Sequence, residues 1–145
     1  MFSIVSLLAA IAVVAGALHL VWEGMHVSLY GGYETLTRLP ITFYATIGDV
    51  GYTIGAVLLA ALFKGNFRWL SAPSMRDLAG LAVMGALIAL FVEYKALALG
   101  RWFYLDAMPM IPILNVGLTP ILQMMILLPF SVWVAAMIFR GIVGR

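Results

Sequence analysis

Four long apolar stretches alternate along the chain with three shorter connections that hold most of the polar residues. The apolar stretches cover residues 2–22, 41–63, 77–99 and 113–139. Each exceeds the roughly 20 apolar residues that cross a bilayer core as a helix. Because backbone groups in lipid must be hydrogen-bonded within the protein, the pattern predicts four transmembrane helices in an all-α bundle.

Composition agrees with this prediction and limits the size of the protein. Of 145 residues, 65% are hydrophobic and 10% are charged, whereas soluble domains have about 25% charged residues. Four spans and their connections use the whole length, so we predict a single transmembrane domain over residues 1–145. The chain has no cysteine, which excludes disulfides, thiol nucleophiles and Cys-based metal sites.

Local signals mark the ends of the predicted spans. Ser74 is a helix N-cap, and Gly100 stops the third span. Pro120 and Pro129 are both expected to bend the fourth span. The first span contains Ala15-Gly16-Ala17, which suits signal-peptide cleavage, but no basic residue precedes it and hydrophobicity continues beyond it. We therefore expect a retained helix.

Basic residues are distributed unevenly between the two sides of the predicted bundle. The first and third connections hold two basic residues, Arg38 and Arg101, whereas the second connection and the C-terminal end together hold five. The positive-inside rule then predicts that both termini are cytoplasmic. Since the basic residues occur at the ends of apolar segments, they indicate membrane topology, and nucleic acid is not an expected partner. The second connection and the C-terminal end hold Lys64, Arg68, Arg76, Arg140 and Arg145.

Each predicted helix carries a polar residue at a similar depth. Counted from the outer ends of the spans, these residues lie about 10 to 15 Å into the membrane. An ionisable residue at such a depth costs about 2.5 to 3.5 kcal/mol on insertion scales. The sequence therefore predicts one shared polar site. Its members are His19, Asp49, Glu93 and Gln123.

The first helix suggests a metal site as one interpretation of this polar layer. His19, Glu23 and His26 are spaced four and three residues apart, so they share a helix face. Glu23-x-x-His26 is half of the motif of di-metal helical bundles, and the chain has no second copy. A single divalent metal bound by these three residues is therefore one hypothesis. Polar groups at helix interfaces with no ligand are the alternative.

Two further expectations concern the second and third helices. Asp49 is expected to face the bundle, where Gly51 and Gly55 would let a neighbouring backbone approach closely. Lys95 is only two residues from Glu93, which puts the two side chains on nearly opposite faces. Lys95 is expected to extend to the outer interface or to neutralise an acid on a neighbouring helix.

Proton chemistry on an apolar molecule is the second interpretation. Asp49 and Glu93 suit the roles of acid and base, with His19 and Glu23 tuning them. Aromatic rings near the outer interface can stabilise a carbocation, and Arg101 can hold a polar head group. The predicted substrate-binding residues are Trp22, Tyr44, Arg101, Trp102, Tyr104 and Gln123.

The chain contains the motifs Trp22-Glu23, Gly48-Asp49, Glu93, Gly100-Arg101-Trp102-Phe103-Tyr104, Met108-Pro109 and Val116 to Gln123. They resemble those of an uncharacterised group of small bacterial four-span inner-membrane proteins, and the resemblance implies a bacterial cytoplasmic membrane location. An acid followed by Gly-x-Trp-x-Tyr and a proline-led helix is also similar in layout to membrane lycopene-cyclase domains. Those domains act on carotenoid ends by proton chemistry, and their Pro-x-Glu-Glu signature is not in this sequence.

These observations leave three functional hypotheses open. The first is a membrane-embedded enzyme or binding protein for a lipophilic molecule such as an isoprenoid. The second is a non-enzymatic subunit or assembly factor, with a membrane-protein partner or a homo-oligomer. The third is metal or proton transport. No cofactor other than a single divalent metal is expected.

Overall fold

The computed structural model describes residues 4–34 and 36–143. Within them, four helices are long and apolar enough to cross a membrane, which confirms the all-α four-helix bundle. The predicted start of the first span at Phe2, and the basic Arg145, lie outside the described residues. The helices are α1 (Ile4–His26), α2 (Ile41–Lys64), α3 (Met75–Ala98) and α4 (Leu118–Val143).

The four helices pack as an incompletely closed ring. Helix α1 packs against α2 and α4, and α3 packs against α4. Helices α2 and α3 contact each other much less than any of these three pairs. The bundle is therefore well packed on three sides and loosest between α2 and α3. Fully buried core residues include Ile11, Val57, Leu70 and Leu128.

Helix α3 has the end signals that the sequence predicts. The Ser74 side chain accepts a hydrogen bond from the Asp77 backbone N–H, and the Asp77 carboxylate accepts one from the Ser74 N–H. At the other end, Gly100 adopts a left-handed backbone with φ +61°. Its amide bonds to the Leu97 carbonyl, and the next amide bonds to the Ala96 carbonyl. These contacts satisfy backbone groups at both helix ends.

Two short antiparallel strand pairs, which the sequence did not reveal, organise the first and third connections, which are the outer connections in the predicted orientation. Strand β1 (Tyr30–Gly31) pairs with β2 (Phe103–Tyr104), and β3 (Met110–Ile111) pairs with β4 (Val116–Gly117). The first pair joins the α1–α2 connection to the α3–α4 connection. Both connections must therefore lie on the same side of the bundle.

The predicted start of the fourth helix at residue 113 is wrong. Residues 113–115 form a turn, in which Asn115 has a left-handed backbone with φ 52°, and Val116 and Gly117 form β4. Pro120 consequently lies in the first turn of α4, where a missing N–H breaks no helical hydrogen bond. Of the two prolines predicted to bend the helix, only Pro129 lies in its interior.

The predicted close approach at Gly51 and Gly55 is also wrong within this chain. A Cβ built at either position would have no described heavy atom within 4 Å. The tight contact is instead at Gly85 of α3, where a Cβ would overlap the carbonyl oxygen of Met124 in α4. Lys95 is exposed, consistent with the expectation that it extends away from the bundle.

Candidate functional site

The first part of the site is the polar face of α1. The helix continues to His26, four residues past the predicted end, so that His19, Glu23 and His26 all belong to it. All three are buried, and His19 is fully enclosed. The four and three residue spacing thus directs them into the bundle, as predicted.

Gln123 of α4 connects this face to α2. Its side-chain nitrogen lies 3.0 Å from His19 Nδ1, 2.8 Å from Glu23 Oε1 and 2.8 Å from Asp49 Oδ2. The two carboxyl oxygens therefore cannot be farther apart than twice 2.8 Å. Three of the four residues predicted to share one layer, His19, Asp49 and Gln123, are in direct contact.

The two hydrogens of the Gln123 side-chain amide limit which hydrogen bonds His19 can form. An amide nitrogen carries two hydrogens, and three acceptors surround this one. His19 Nδ1 also lies 3.3 Å from Asp49 Oδ2. If Gln123 donates to the two carboxyls, His19 Nδ1 carries its own hydrogen and donates to Asp49. His19 Nε2 is buried and has no hydrogen-bond partner among the described residues.

His26 has the opposite arrangement. The Trp22 indole N–H donates to His26 Nδ1 at 3.0 Å, so that this nitrogen is an acceptor. The hydrogen of the neutral ring must then be on Nε2, which lies 3.2 Å from Glu23 Oε2. Each histidine therefore donates to a different carboxyl group, and the Glu23 oxygens are both engaged.

Glu93 of α3 is bound separately, by residues of the outer connection. The Tyr104 hydroxyl donates to Glu93 Oε2 at 2.5 Å, and the Trp102 indole N–H lies 3.4 Å from the same oxygen. Burial, together with the hydrogen bond to Glu93, raises the pKa of Tyr104 above its ordinary value. The phenol therefore keeps its hydrogen and remains a donor to Glu93.

Tyr30 joins the two halves of the site. Its ring centre lies 5.4 Å from that of His26, 6.0 Å from that of Trp102 and 5.6 Å from that of Tyr104. Burial and the nearby Glu93 raise the pKa of Tyr30. Tyr30 was not among the predicted site residues, although it lies four residues after His26 and continues the spacing of the polar face.

A cavity of about 400 Å³ lies against these groups. Half of its lining residues belong to α2 and α3, where the helices are least closely packed, and the carboxyl residues Glu23, Asp49 and Glu93 all line it. Tyr44 and Ile47 of α2 line the cavity and are also exposed on the bundle surface. The wall of the cavity therefore reaches the surface of the bundle along α2. The aromatic residues that line it are Tyr30, Tyr33, Tyr44, Tyr52 and Trp102.

The predicted substrate-binding residues fall into two groups. The wall of the cavity includes Tyr44, Arg101, Trp102 and Gln123. Trp22 and Tyr104 are not among the described lining residues; Trp22 binds His26, and Tyr104 binds Glu93. Of the predicted catalytic residues, Asp49, Glu93 and Glu23 line the cavity, and His19 lies behind Asp49.

The predicted metal ligands have other partners. Glu23 Oε2 and His26 Nε2 contact each other, and His19 Nδ1 contacts Asp49 and Gln123. Among the described residues, no group of three or more His, Cys, Asp or Glu side chains is arranged to hold a metal ion. A metal at His19, Glu23 and His26 therefore stays a prediction with no such cluster to support it.

No protein-family model, no curated protein and no solved structure matches the chain. The resemblance of its motifs to small bacterial inner-membrane proteins and to lycopene-cyclase domains therefore stays a prediction.

Proposed function

We propose that the protein binds a lipophilic molecule within the membrane and transfers protons to and from it. The observation that carries the proposal is the cavity, where carboxyl groups from three helices face one largely aromatic and apolar space. Its volume of about 400 Å³ falls in the range of about 300 to 1,000 Å³ of small-molecule sites. Polar residues that only joined helices would need no such space beside them.

The position of the opening supports a ligand that arrives from the membrane. The cavity wall includes exposed side chains of α2, and α2 packs loosely against α3. A molecule dissolved in the lipid can enter between these helices without crossing the polar outer connections. The charge distribution further supports an orientation that puts the cavity in the outer half of the membrane, which we propose is a bacterial cytoplasmic membrane.

The contacts suggest distinct roles for the carboxyl groups. Both oxygens of Glu23 are engaged, by Gln123 and His26, which suits a positioning role. The two donors to Glu93 both contact Oε2, and no described side chain donates to Oε1. The Asp49 side chain keeps 18% of its surface exposed. Asp49 and Glu93 are therefore the groups that we assign to proton transfer.

The aromatic wall suits the chemistry that proton transfer creates. A proton added to a carbon or nitrogen of the ligand leaves positive charge on it. Rings within about 6 Å attract such a charge through their negative faces. Tyr30, Tyr44 and Trp102 line the cavity together with Asp49 and Glu93. A redox-neutral rearrangement that begins and ends with a proton is the reaction class that fits.

Filling the cavity is the direct test of ligand binding. Gly48 of α2 lines the cavity, and a Cβ there meets no described heavy atom within 4 Å. Gly48→Leu should therefore fold and take up the ligand's space. Gly51→Leu is the matched control, because Gly51 is equally open and is not a described lining residue. Native mass spectrometry after gentle solubilisation should find a retained lipophile in wild type and Gly51→Leu, and its loss in Gly48→Leu.

The carboxyl groups require a second pair of variants. Asp49→Asn and Glu93→Gln keep the side-chain shape and remove the acidic group. The conversion of lipids from a total membrane extract by the purified protein should therefore stop in both variants. Asp106→Asn removes an acid from an exposed position in an outer connection and should leave turnover unchanged. A folded wild-type protein that retains no lipophile and remains bound to another protein would contradict the proposal and favour the subunit hypothesis.

A further inference from the structure

We propose that the molecule bound in this cavity is a lipophilic amine in its ammonium form. This inference rests on the proposed function, because it names the chemical class of the ligand of the same site. It is carried by the three carboxyl groups that line the cavity, whose described partners include no Lys or Arg side chain.

The carboxyl groups of the site have neutral donors as partners. Glu23 and Asp49 share the amide of Gln123, and Glu93 is bound by the phenol of Tyr104 and the indole of Trp102. Within the described residues, no Lys or Arg nitrogen lies within 4 Å of these three carboxyls. Each would be a buried ion without a cationic side chain beside it.

The histidines do not supply the missing charge. Trp22 donates to Nδ1 of His26, which leaves no room there for a second ring proton. His19 would have to carry a proton on Nε2 as well as Nδ1 to be cationic, and Nε2 is buried without an acceptor among the described residues. The Trp22 N–H therefore occupies the place of a second ring proton on His26, and a second ring proton on His19 would have no described acceptor.

Buried carboxyls need either protons or an external cation to balance them. Removing an unpaired ion from water costs several kcal/mol, and a ligand ammonium group restores the lost interaction. Aromatic side chains that surround a cation are the common way to recognise quaternary ammonium groups. Tyr30, Tyr44, Tyr52 and Trp102 provide such rings in the cavity wall.

An anionic head group fits the same wall poorly. Arg101 is the single Lys or Arg among the described lining residues. It is exposed in the outer connection, where water screens its charge. An anion that entered the cavity would face three carboxyl groups against this one guanidinium.

Three ligands of equal chain length separate charge from hydrophobicity. Dodecylammonium, dodecanol and dodecanoate are titrated into phosphatidylcholine nanodiscs that contain the full chain, and tryptophan fluorescence is followed. Empty nanodiscs with added free tryptophan correct for partition into lipid. We expect the ammonium compound to bind at least about tenfold more tightly than dodecanol, since a charge-assisted contact has about that value. Dodecanoate should bind most weakly.

Removing single carboxyl groups tests where this preference arises. Glu93→Gln and Asp49→Asn should each reduce affinity for the ammonium compound by about tenfold, while dodecanol affinity stays within about twofold. The exposed Asp106→Asn should change neither affinity. An unchanged preference for ammonium in both cavity variants would overturn the proposal.

The wild-type titrations alone are decisive if a variant does not fold. Equal binding of dodecanol and the ammonium compound would overturn the charge inference and leave the proposed lipophile binding intact. Tighter binding of dodecanoate would also overturn it and would assign the head group to Arg101. Binding of none of the three ligands would count against the charge inference and the proposed function together.

Discussion

At the scale of single residues, the two histidines show how neighbours determine the position of a hydrogen. Trp22 donates to Nδ1 of His26, whereas Nδ1 of His19 faces the Asp49 carboxyl and the Gln123 amide. We therefore predict opposite neutral tautomers, with the hydrogen on Nε2 in His26 and on Nδ1 in His19. The chain contains only these two histidines. Nitrogen-15 NMR of histidine-labelled protein, with each ring nitrogen assigned through its couplings to the ring carbon-bound protons, should accordingly show a protonated Nε2 in His26 and a protonated Nδ1 in His19.

The Trp22→Phe variant provides the control for this prediction. It removes the donor to His26 Nδ1 and should alter the His26 resonances while leaving those of His19 in place. His26→Gln identifies which pair of resonances belongs to which ring. Identical tautomers in the wild-type protein would contradict the hydrogen-bond arrangement around Gln123.

The sequence predicted the shared polar layer because membrane burial makes each ionisable residue conspicuous. His19, Asp49 and Gln123 do meet, and Glu93 lines the same cavity. Which atoms come into contact depends on the rotation of each helix about its axis, and the spacing of residues along the chain does not determine that rotation. Tyr30 was missed for a related reason, since tyrosine near a membrane interface is common without any role in a site.

At the scale of elements, the contact between α3 and α4 depends on one small residue. A Cβ at Gly85 would overlap the backbone carbonyl of Met124, which cannot move aside as a flexible side chain can. We predict that Gly85→Ala lowers the free energy of unfolding by about 1 to 3 kcal/mol, the usual cost of overpacking. Thermal unfolding of the detergent-solubilised protein measures the effect.

Gly80 provides a matched substitution on the same helix. It is exposed, and a Cβ there meets no described heavy atom within 4 Å. Gly80→Ala should stabilise α3 slightly, because alanine favours a helix by about 1 kcal/mol over glycine. Equal unfolding temperatures for the two variants would mean that α3 and α4 do not approach each other at Gly85.

The sequence predicted the helices well and the outer connections poorly. The length of an apolar stretch locates the ends of a span to within a few residues, as the agreement between the predicted 41–63 and the observed Ile41–Lys64 illustrates. Strands of two residues have no detectable period, so β3 and β4 were counted as connection or helix. That error moved the predicted start of the fourth helix from Leu118 to residue 113 and made Pro120 look like an interior residue.

At the scale of the whole molecule, the site depends on an unequal ring of helices. The pairs α1–α2, α1–α4 and α3–α4 are well packed, and the cavity occupies the side where α2 and α3 separate. Four apolar spans in a sequence do not reveal which pair will stay apart. Pairing of β1 with β2 closes the outer end of the bundle, and it carries Tyr104 into contact with Glu93 from the last connection.

The orientation of the bundle follows from the same pairing together with the basic residues. Because β1 and β2 belong to different connections and hydrogen-bond to each other, one label on either connection reports the side of both. We predict that this side faces away from the cytoplasm, since Lys64, Arg68 and Arg76 lie at the other end. The cavity would then receive its ligand from the outer leaflet.

Single cysteines test this orientation in a chain that has none of its own. Ala107 lies in the α3–α4 connection and Ala72 in the α2–α3 connection, and both are exposed. A membrane-impermeant maleimide added to spheroplasts should label Ala107→Cys directly and Ala72→Cys only after permeabilisation. The opposite labelling pattern would show that the protein has the inverse orientation, and the ligand would then have to enter from the cytoplasmic leaflet. Labelling of both variants before permeabilisation would indicate a mixture of orientations, contrary to the uneven charge distribution.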